Sequence, residues 1–161
     1  MNKQEIYEYL NNKNIKYEVD EHTAVFNMEE VKDLKLKYPE LDAKNLFIRD
    51  DKKRQYYLIT IKGDKRLDLK EFRKAFNTRP LTFASSEDLM NKLNLIPGSV
   101  TPLGLLNNKD NDVIFYLDDY FKDKLIGCHP NDNTATVWLN SNDLLSIISE
   151  SGNKTNWFKL K

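Results

Sequence analysis

A single mixed α+β domain, with a mostly antiparallel sheet partly wrapped by helices, is the fold class this sequence predicts. Three observations carry it. The chain has 161 residues, the length of one domain closing one substantial core. Stretches with apolar residues at helical spacing alternate with short runs of β-formers along the whole chain. Several of those runs fall in pairs around a short polar break, which suits hairpins better than a regular βαβ series. No internal repeat and no linker interrupts the pattern, so residues 1–161 read as one unit.

The elements follow in order. Residues 3–13 carry Ile6, Tyr7 and Leu10 at helical spacing, and Lys16-Tyr17-Glu18-Val19-Asp20 alternates as a strand does. Asn27-Met28-Glu29-Glu30 resembles a capping box, so a second helix is expected there, with Val31, Leu34 and Leu41 on its apolar face and Pro39 ending its regular part. Lys44–Asp50 and Gln55–Ile61 are β-rich and flank the polar break 51–54, which predicts an antiparallel hairpin. Asp68 can cap a helix carrying Leu69, Phe72 and Phe76, closed by Arg79-Pro80; Leu81–Ala84 is a short strand, and Ser85 or Ser86 caps a helix through Leu93. Residues 96–104 hold two Pro and two Gly and form a turn-rich loop with exposed amides. Strands Val113–Leu117, Lys124–Cys128 and Thr134–Leu139 come next. A helix Asn142–Ser149, capped by Asn140 or Ser141 and stopped by Gly152, and a strand near Trp157–Leu160 complete the chain.

Composition narrows the function classes. The chain is 40% apolar with 18 aromatic residues, yet 31% charged, which is the balance of a packed globule with a polar surface. No run approaches the roughly 20 apolar residues that cross a bilayer, and the start of the chain lacks an uninterrupted apolar stretch of the signal-peptide kind. Membrane function and export are therefore not expected. A single cysteine, Cys128, suits a reducing compartment, so a cytoplasmic protein is expected. The net charge of zero hides a basic middle: residues 44–80 carry 12 Lys or Arg against 5 Asp or Glu. Lys52, Lys53 and Arg54 form one cluster of that segment and can follow a phosphate backbone or serve as a solvated hairpin tip.

Among reactive residue types, Cys128-His129 stands out. Adjacent residues of an extended segment point to opposite faces, so the two are poorly placed to act as a nucleophile–base pair, and Cys128 reads as a core residue. His129 is left as a hydrogen-bonder or site residue, with His22 as its one potential companion. Two His and one Cys, without a CxxC or HExxH pattern, fall short of a metal site, and no cofactor fingerprint is present. Ser99 lacks the G-x-S-x-G elbow and a base of its own. What remains is a trio: Lys44 as a fixed cation, the Gly98 loop as a source of backbone donors, and His129 as a polar group titrating near neutrality. That trio suits hydrolysis of an ester on a phosphate-bearing ligand.

Four segments, in order, resemble one known family. Glu21-His22-Thr23-Ala24-Val25-Phe26, followed by Met28-Glu29-Glu30, is similar to an H-x-A-V-x-(S/T/N)-x-E-E segment. Ala43-Lys44-Asn45-Leu46-Phe47 is similar to a lysine-bearing strand, 97–104 to a G-x-x-x-P loop, and 127–136 to a histidine-bearing turn. Together they resemble the prolyl-tRNA editing, or YbaK-like, superfamily over essentially the full chain, and the 98–108 region looks most like its alanyl-tRNA(Pro) deacylase branch. The resemblance implies a mixed α/β editing domain that clears alanine from mischarged proline tRNA, with the tRNA(Pro) acceptor end as partner and prolyl-tRNA synthetase as a further one. The alternatives are a deacylase of cysteinyl-tRNA(Pro) and a regulatory module that senses tRNA or amino acid without turnover. It implies Lys44 at the phosphate or ribose of the terminal adenosine, the Gly98 backbone at the aminoacyl carbonyl and water, and His129 shaping a pocket for a small amino acid. Asn45, Ser99, Val100, Thr101 and His22 are implied as substrate contacts. Without a compelled protein nucleophile, the ribose hydroxyl beside the ester is expected to help activate water, while the protein positions and stabilises charge.

Overall fold

The structure, a computed structural model, describes residues 1–24 and 35–160. Helix α1 (Lys3–Asn12) begins at Asn2, whose side chain accepts from the Glu5 amide while Glu5 returns the bond, a complete capping box, and it buries Ile6 and Leu10. The helix expected from Asn27 lies outside the described residues apart from its end, where Pro39 opens a 3-10 turn, Pro39–Leu41. Helices α2 (Leu69–Phe76), α3 (Ser86–Leu93) and α4 (Ser141–Glu150) start at Asp68, Ser85 and Asn140, each accepting a backbone N–H on its side chain.

Among the described residues, eight strands make two sheets rather than the single sheet expected from sequence. Strands β1 (Tyr17–Glu21), β7 (Ala135–Asn140) and β6 (Leu125–Cys128) form an antiparallel sheet in the order β1-β7-β6. Strands β4 (Leu81–Phe83), β2 (Ala43–Asp50), β3 (Tyr56–Lys62), β5 (Val113–Asp118) and β8 (Thr155–Phe158) form the other in that order. The β2–β3 hairpin is antiparallel as expected, while β3–β5 and β5–β8 are parallel. Parallel pairing arises because the connections from β3 to β5 and from β5 to β8 carry whole helices, which return the chain to the same end.

Alternation along β3 explains its unbroken buried run, Tyr56 to Ile61. Tyr56 and Leu58 enter a larger core with Phe47, Phe115, Ile126, Cys128, Val137 and Leu139, drawn from both sheets and joined by α1, α3 and α4. Tyr57, Ile59 and Ile61 enter a second core under α2, with Phe72, Tyr116 and Phe158. A strand buried on both faces loses the polar alternation of a half-exposed one. Each fully buried Leu, Ile or Phe there contributes about 1.5–3 kcal/mol.

Candidate functional site

The site grows from the outer face of the three-stranded sheet. Along β6, Ile126 and Cys128 point into the larger core, so Gly127 and the following His129 point the other way. Cys128 is 2% exposed and burial pushes its thiol pKa up, the state of an inert core cysteine. Gly127 lies opposite Trp138, and a Cβ there would stand 2.6 Å from the indole ring. The glycine is needed for that close approach.

His129 is held from both sides. Its carbonyl accepts from the Thr101 hydroxyl at 2.7 Å, and its Nδ1 lies 3.0 Å from the Ala135 carbonyl. A carbonyl only accepts, so Nδ1 carries the proton and Nε2 is left as an acceptor in the neutral ring. Burial lowers the His129 pKa, with the Ala135 bond opposing and His22 adding to the fall. His129 is therefore a neutral, oriented imidazole at physiological pH. His22 stands beside it, ring centroids 6.2 Å apart and edge-on. The His22 amide donates to the Thr134 carbonyl, its Nδ1 donates to the Thr23 carbonyl at 2.8 Å, and its Nε2 accepts from the Thr136 hydroxyl at 2.9 Å.

The Pro/Gly loop reaches this pair through Thr101 and the larger sheet through Asn45. The Asn45 amide donates to the Val100 carbonyl at 3.2 Å and accepts from the Thr60 hydroxyl at 2.6 Å, tying loop to sheet. Within the loop, the Ser99 amide donates to the Ile96 carbonyl, closing a turn with Pro97 and Gly98 at its centre. Gly98 has φ 91°, the value a type II turn requires at its third residue and one that glycine takes without strain. Ser99 and Thr101 are buried, and the Thr101 side chain holds His129.

Register separates two neighbours. Asn45 pairs with Thr60 and Lys44 with Ile61, so the two leave β2 on opposite faces. Lys44 is half-buried and, among the described residues, makes no ion pair. Hydrogen bonds and the ring contact thus gather Asn45, Val100, Thr101, His129 and His22; Lys44 adjoins Asn45 in sequence, and Gly98 lies two residues before Val100. Lys52, Lys53 and Arg54 sit exposed on the β2–β3 turn, where the Asp50 carboxylate accepts the Lys52 and Arg54 amides. That tip lies at the far end of β2 from Lys44, roughly 25 Å away at the usual rise of a strand.

Sequence reasoning did not single out Asp42. Its carboxyl is pushed up to about 6 by burial, against the Ala43 amide and His22, which favour the ionised form. An acid two residues before Lys44 is unremarkable in sequence, because its neighbours His22 and Cys128 are brought to it only by the fold. Thr136, the partner of His22, is hidden in the same way inside an ordinary strand.

A sheet pair enclosing one core, with positioning groups and no accessible thiol, defines a class rather than a single protein. Residues 22–147 match the aminoacyl-tRNA editing domain, and the chain belongs to that family; it is an aminoacyl-tRNA deacylase. More particularly, it is 36% identical over 152 residues to the prolyl-tRNA editing protein ProX of Acetoanaerobium sticklandii, covering 94% of this chain and 93% of that one. It is 34% identical over 143 residues to prolyl-tRNA synthetase associated domain-containing protein 1 of Mus musculus, covering 86% and 84%. A crystal structure described as a candidate trans-editing enzyme for prolyl-tRNA synthetase superposes with a TM-score of 0.69 over 99% of this chain and 97% of that one. At 18% identity that likeness is one of fold. Among the described residues, no helix is long and apolar enough to cross a membrane.

Proposed function

We propose that this chain is a trans-editing enzyme of prolyl-tRNA, hydrolysing alanine from mischarged tRNA(Pro) and sparing Pro-tRNA(Pro), in the cytoplasm. The observation that carries this reading is the 36% identity to a prolyl-tRNA editing protein over nearly all of both chains. The site agrees with it: a neutral oriented His129, a Gly98 turn tied down through Asn45, and a buried Cys128 supply position rather than a nucleophile.

In this mechanism Lys44 engages the phosphate or ribose of the terminal adenosine, and the Gly98 loop amides hold the aminoacyl carbonyl as it becomes an oxyanion. The neighbouring ribose hydroxyl takes part in activating the water, so proximity carries the step. His129, with His22 and Val100 around it, bounds a pocket that admits alanine and excludes the larger proline ring. Asp42 supplies negative charge for the substrate's α-ammonium. The tRNA is recognised through its phosphates, with Lys52, Lys53 and Arg54 reaching the stem, and prolyl-tRNA synthetase is the enzyme whose errors it clears.

Competitive deacylation of alanyl-, cysteinyl- and prolyl-tRNA(Pro) tests the reading. Alanyl-tRNA(Pro) is expected to be hydrolysed fastest and prolyl-tRNA(Pro) spared; equal inertness toward all three would sink it. Lys44→Ala and His129→Ala are expected to lower turnover by about a hundredfold while the melting curve is retained, and unchanged turnover in Lys44→Ala contradicts its role.

A further inference from the structure

Three lysines converge on one aromatic ring at the site end of β2 and β3. The ammonium groups of Lys124, Lys62 and Lys65 lie 3.9, 5.1 and 5.5 Å from the centroid of Tyr120. The ring is pinned: its hydroxyl donates to the Glu40 carbonyl at 3.2 Å, and it packs edge-on against the fully buried Phe121 at 5.2 Å. Lys65 is anchored 3.0 Å from Asp118, which is 0% exposed and also accepts the Lys62 and Tyr120 amides, so its charge is directed inward. Lys62 pairs with exposed Asp64 at 3.0 Å. Lys124 is exposed and, among the described residues, has no carboxylate partner.

The buried Asp118 cancels the charge of Lys65, the Lys62–Asp64 pair is exposed and so held only weakly in water, and the aromatic face holds Lys124 while leaving it positive. Tyr120 therefore collects cations that would otherwise spread apart. The acids around this array are Asp64, Asp118, Asp119 and Asp123; Asp118 is buried, and Asp123 accepts from the Asn142 amide. Position selects the occupant. Lys62 is the register partner of Ala43, next to Lys44, and Glu40 lies in the turn that leads into β2.

We propose that Lys62 and Lys124, gathered by Tyr120 and braced by the Lys65–Asp118 pair, form a platform that docks the phosphate backbone of RNA beside the editing site. Identifying that RNA as the strand leading to the 3′ end of a tRNA rests on the deacylase reading. Tyr120 does not stack a base in this arrangement, because Lys124 already occupies its face. The ring acts as the fixed support for two phosphate contacts, which supply affinity without sequence preference.

Fluorescence anisotropy of deacylated tRNA(Pro) over a salt series tests the platform. Lys62→Gln with Lys124→Gln is expected to weaken binding about tenfold and to lower the slope of log affinity against log salt by about one per lysine. Tyr120→Leu is expected to weaken binding too, whereas Tyr120→Phe keeps the ring and retains it. Lys52→Gln with Lys53→Gln and Arg54→Gln, at the hairpin tip, is expected to cost less. Unchanged affinity and slope in the exposed-lysine double variant would overturn the platform, as would equal displacement of the tRNA by a poly-glutamate peptide. Wild-type turnover of alanyl-tRNA(Pro), followed in parallel, separates the two readings: lysine-dependent binding without turnover keeps the platform and removes the deacylase reading, and turnover with lysine-independent binding does the reverse.

Discussion

The two sheets divide the work of the molecule. The five-stranded sheet has its central strands buried on both faces, between the larger core and the aromatic cluster under α2. The three-stranded sheet turns Ile126, Cys128, Val137 and Leu139 into the larger core and on its other face buries Gly127, Thr136 and Trp138 beside His129, just past β6. Strands between two hydrophobic layers have little room for polar chemistry, whereas a sheet whose second face carries hydrogen-bonding side chains offers a rigid base on which polar groups can be aimed. The site therefore sits on the smaller sheet, with β2 reaching across from the larger one through Asn45.

That contrast is sharpest in its largest predicted effect. Phe115, fully buried in the central β5, should cost about 3–5 kcal/mol when cut to alanine, read as a lower denaturation midpoint. A loss near that of an exposed residue would remove the distinction between the sheets. Gly127→Ala comes next: the new methyl meets the Trp138 ring at 2.6 Å, which should cost about 1–3 kcal/mol. Because the displaced strand carries His129, turnover should fall with stability. A melt and an activity assay on one preparation check both, and full activity with wild-type stability would show that Trp138 yields freely.

The smallest effect concerns Asp42 and depends on pH. Its folded pKa is raised, to about 6, so the fold binds an extra proton there. The stability this contributes is fully present below the ordinary carboxylate pKa and is lost as pH rises through about 6. Asp42→Asn should therefore come close to the wild type near pH 4 and be the more stable of the two at neutral pH. The same substitution should raise KM for alanyl-tRNA(Pro), as should lowering the pH of the wild type through about 6. A melting difference that does not change with pH would show that Asp42 is not held protonated by the fold.

Much of the architecture was legible in the residues. The caps at Asp68, Ser85 and Asn140 and the β2–β3 hairpin follow from local chemistry, and strands β6 and β7 differ from expectation by a residue at their ends because strand ends are set by pairing partners. The last strand begins at Thr155, earlier than the expected Trp157, since its partner is β5 and the Lys154 carbonyl already accepts the Phe115 amide. The 3-10 turn Pro102–Asn107 was folded into the expected loop; its start is specified by Thr101, whose hydroxyl both accepts the Leu103 amide and holds His129.

What the amino-acid order determined by itself was the set of local elements, the burial of Cys128 away from His129, and, by resemblance, the family to which the chain belongs. Each depends on spacing within a few residues, or on motifs carried in order along the chain. Tertiary structure alone decided the division into two sheets, the parallel placement of β5 and β8, the contact of His22 with Thr136, the raised pKa of Asp42, and the gathering of Lys62, Lys65 and Lys124 around Tyr120. The His22–Thr136 contact, the β5–β8 pairing and the meeting of Lys65 with Asp118 join residues about 40 to more than 100 positions apart. Chain closure over such distances is governed by which faces bury together, and local spacing does not encode that.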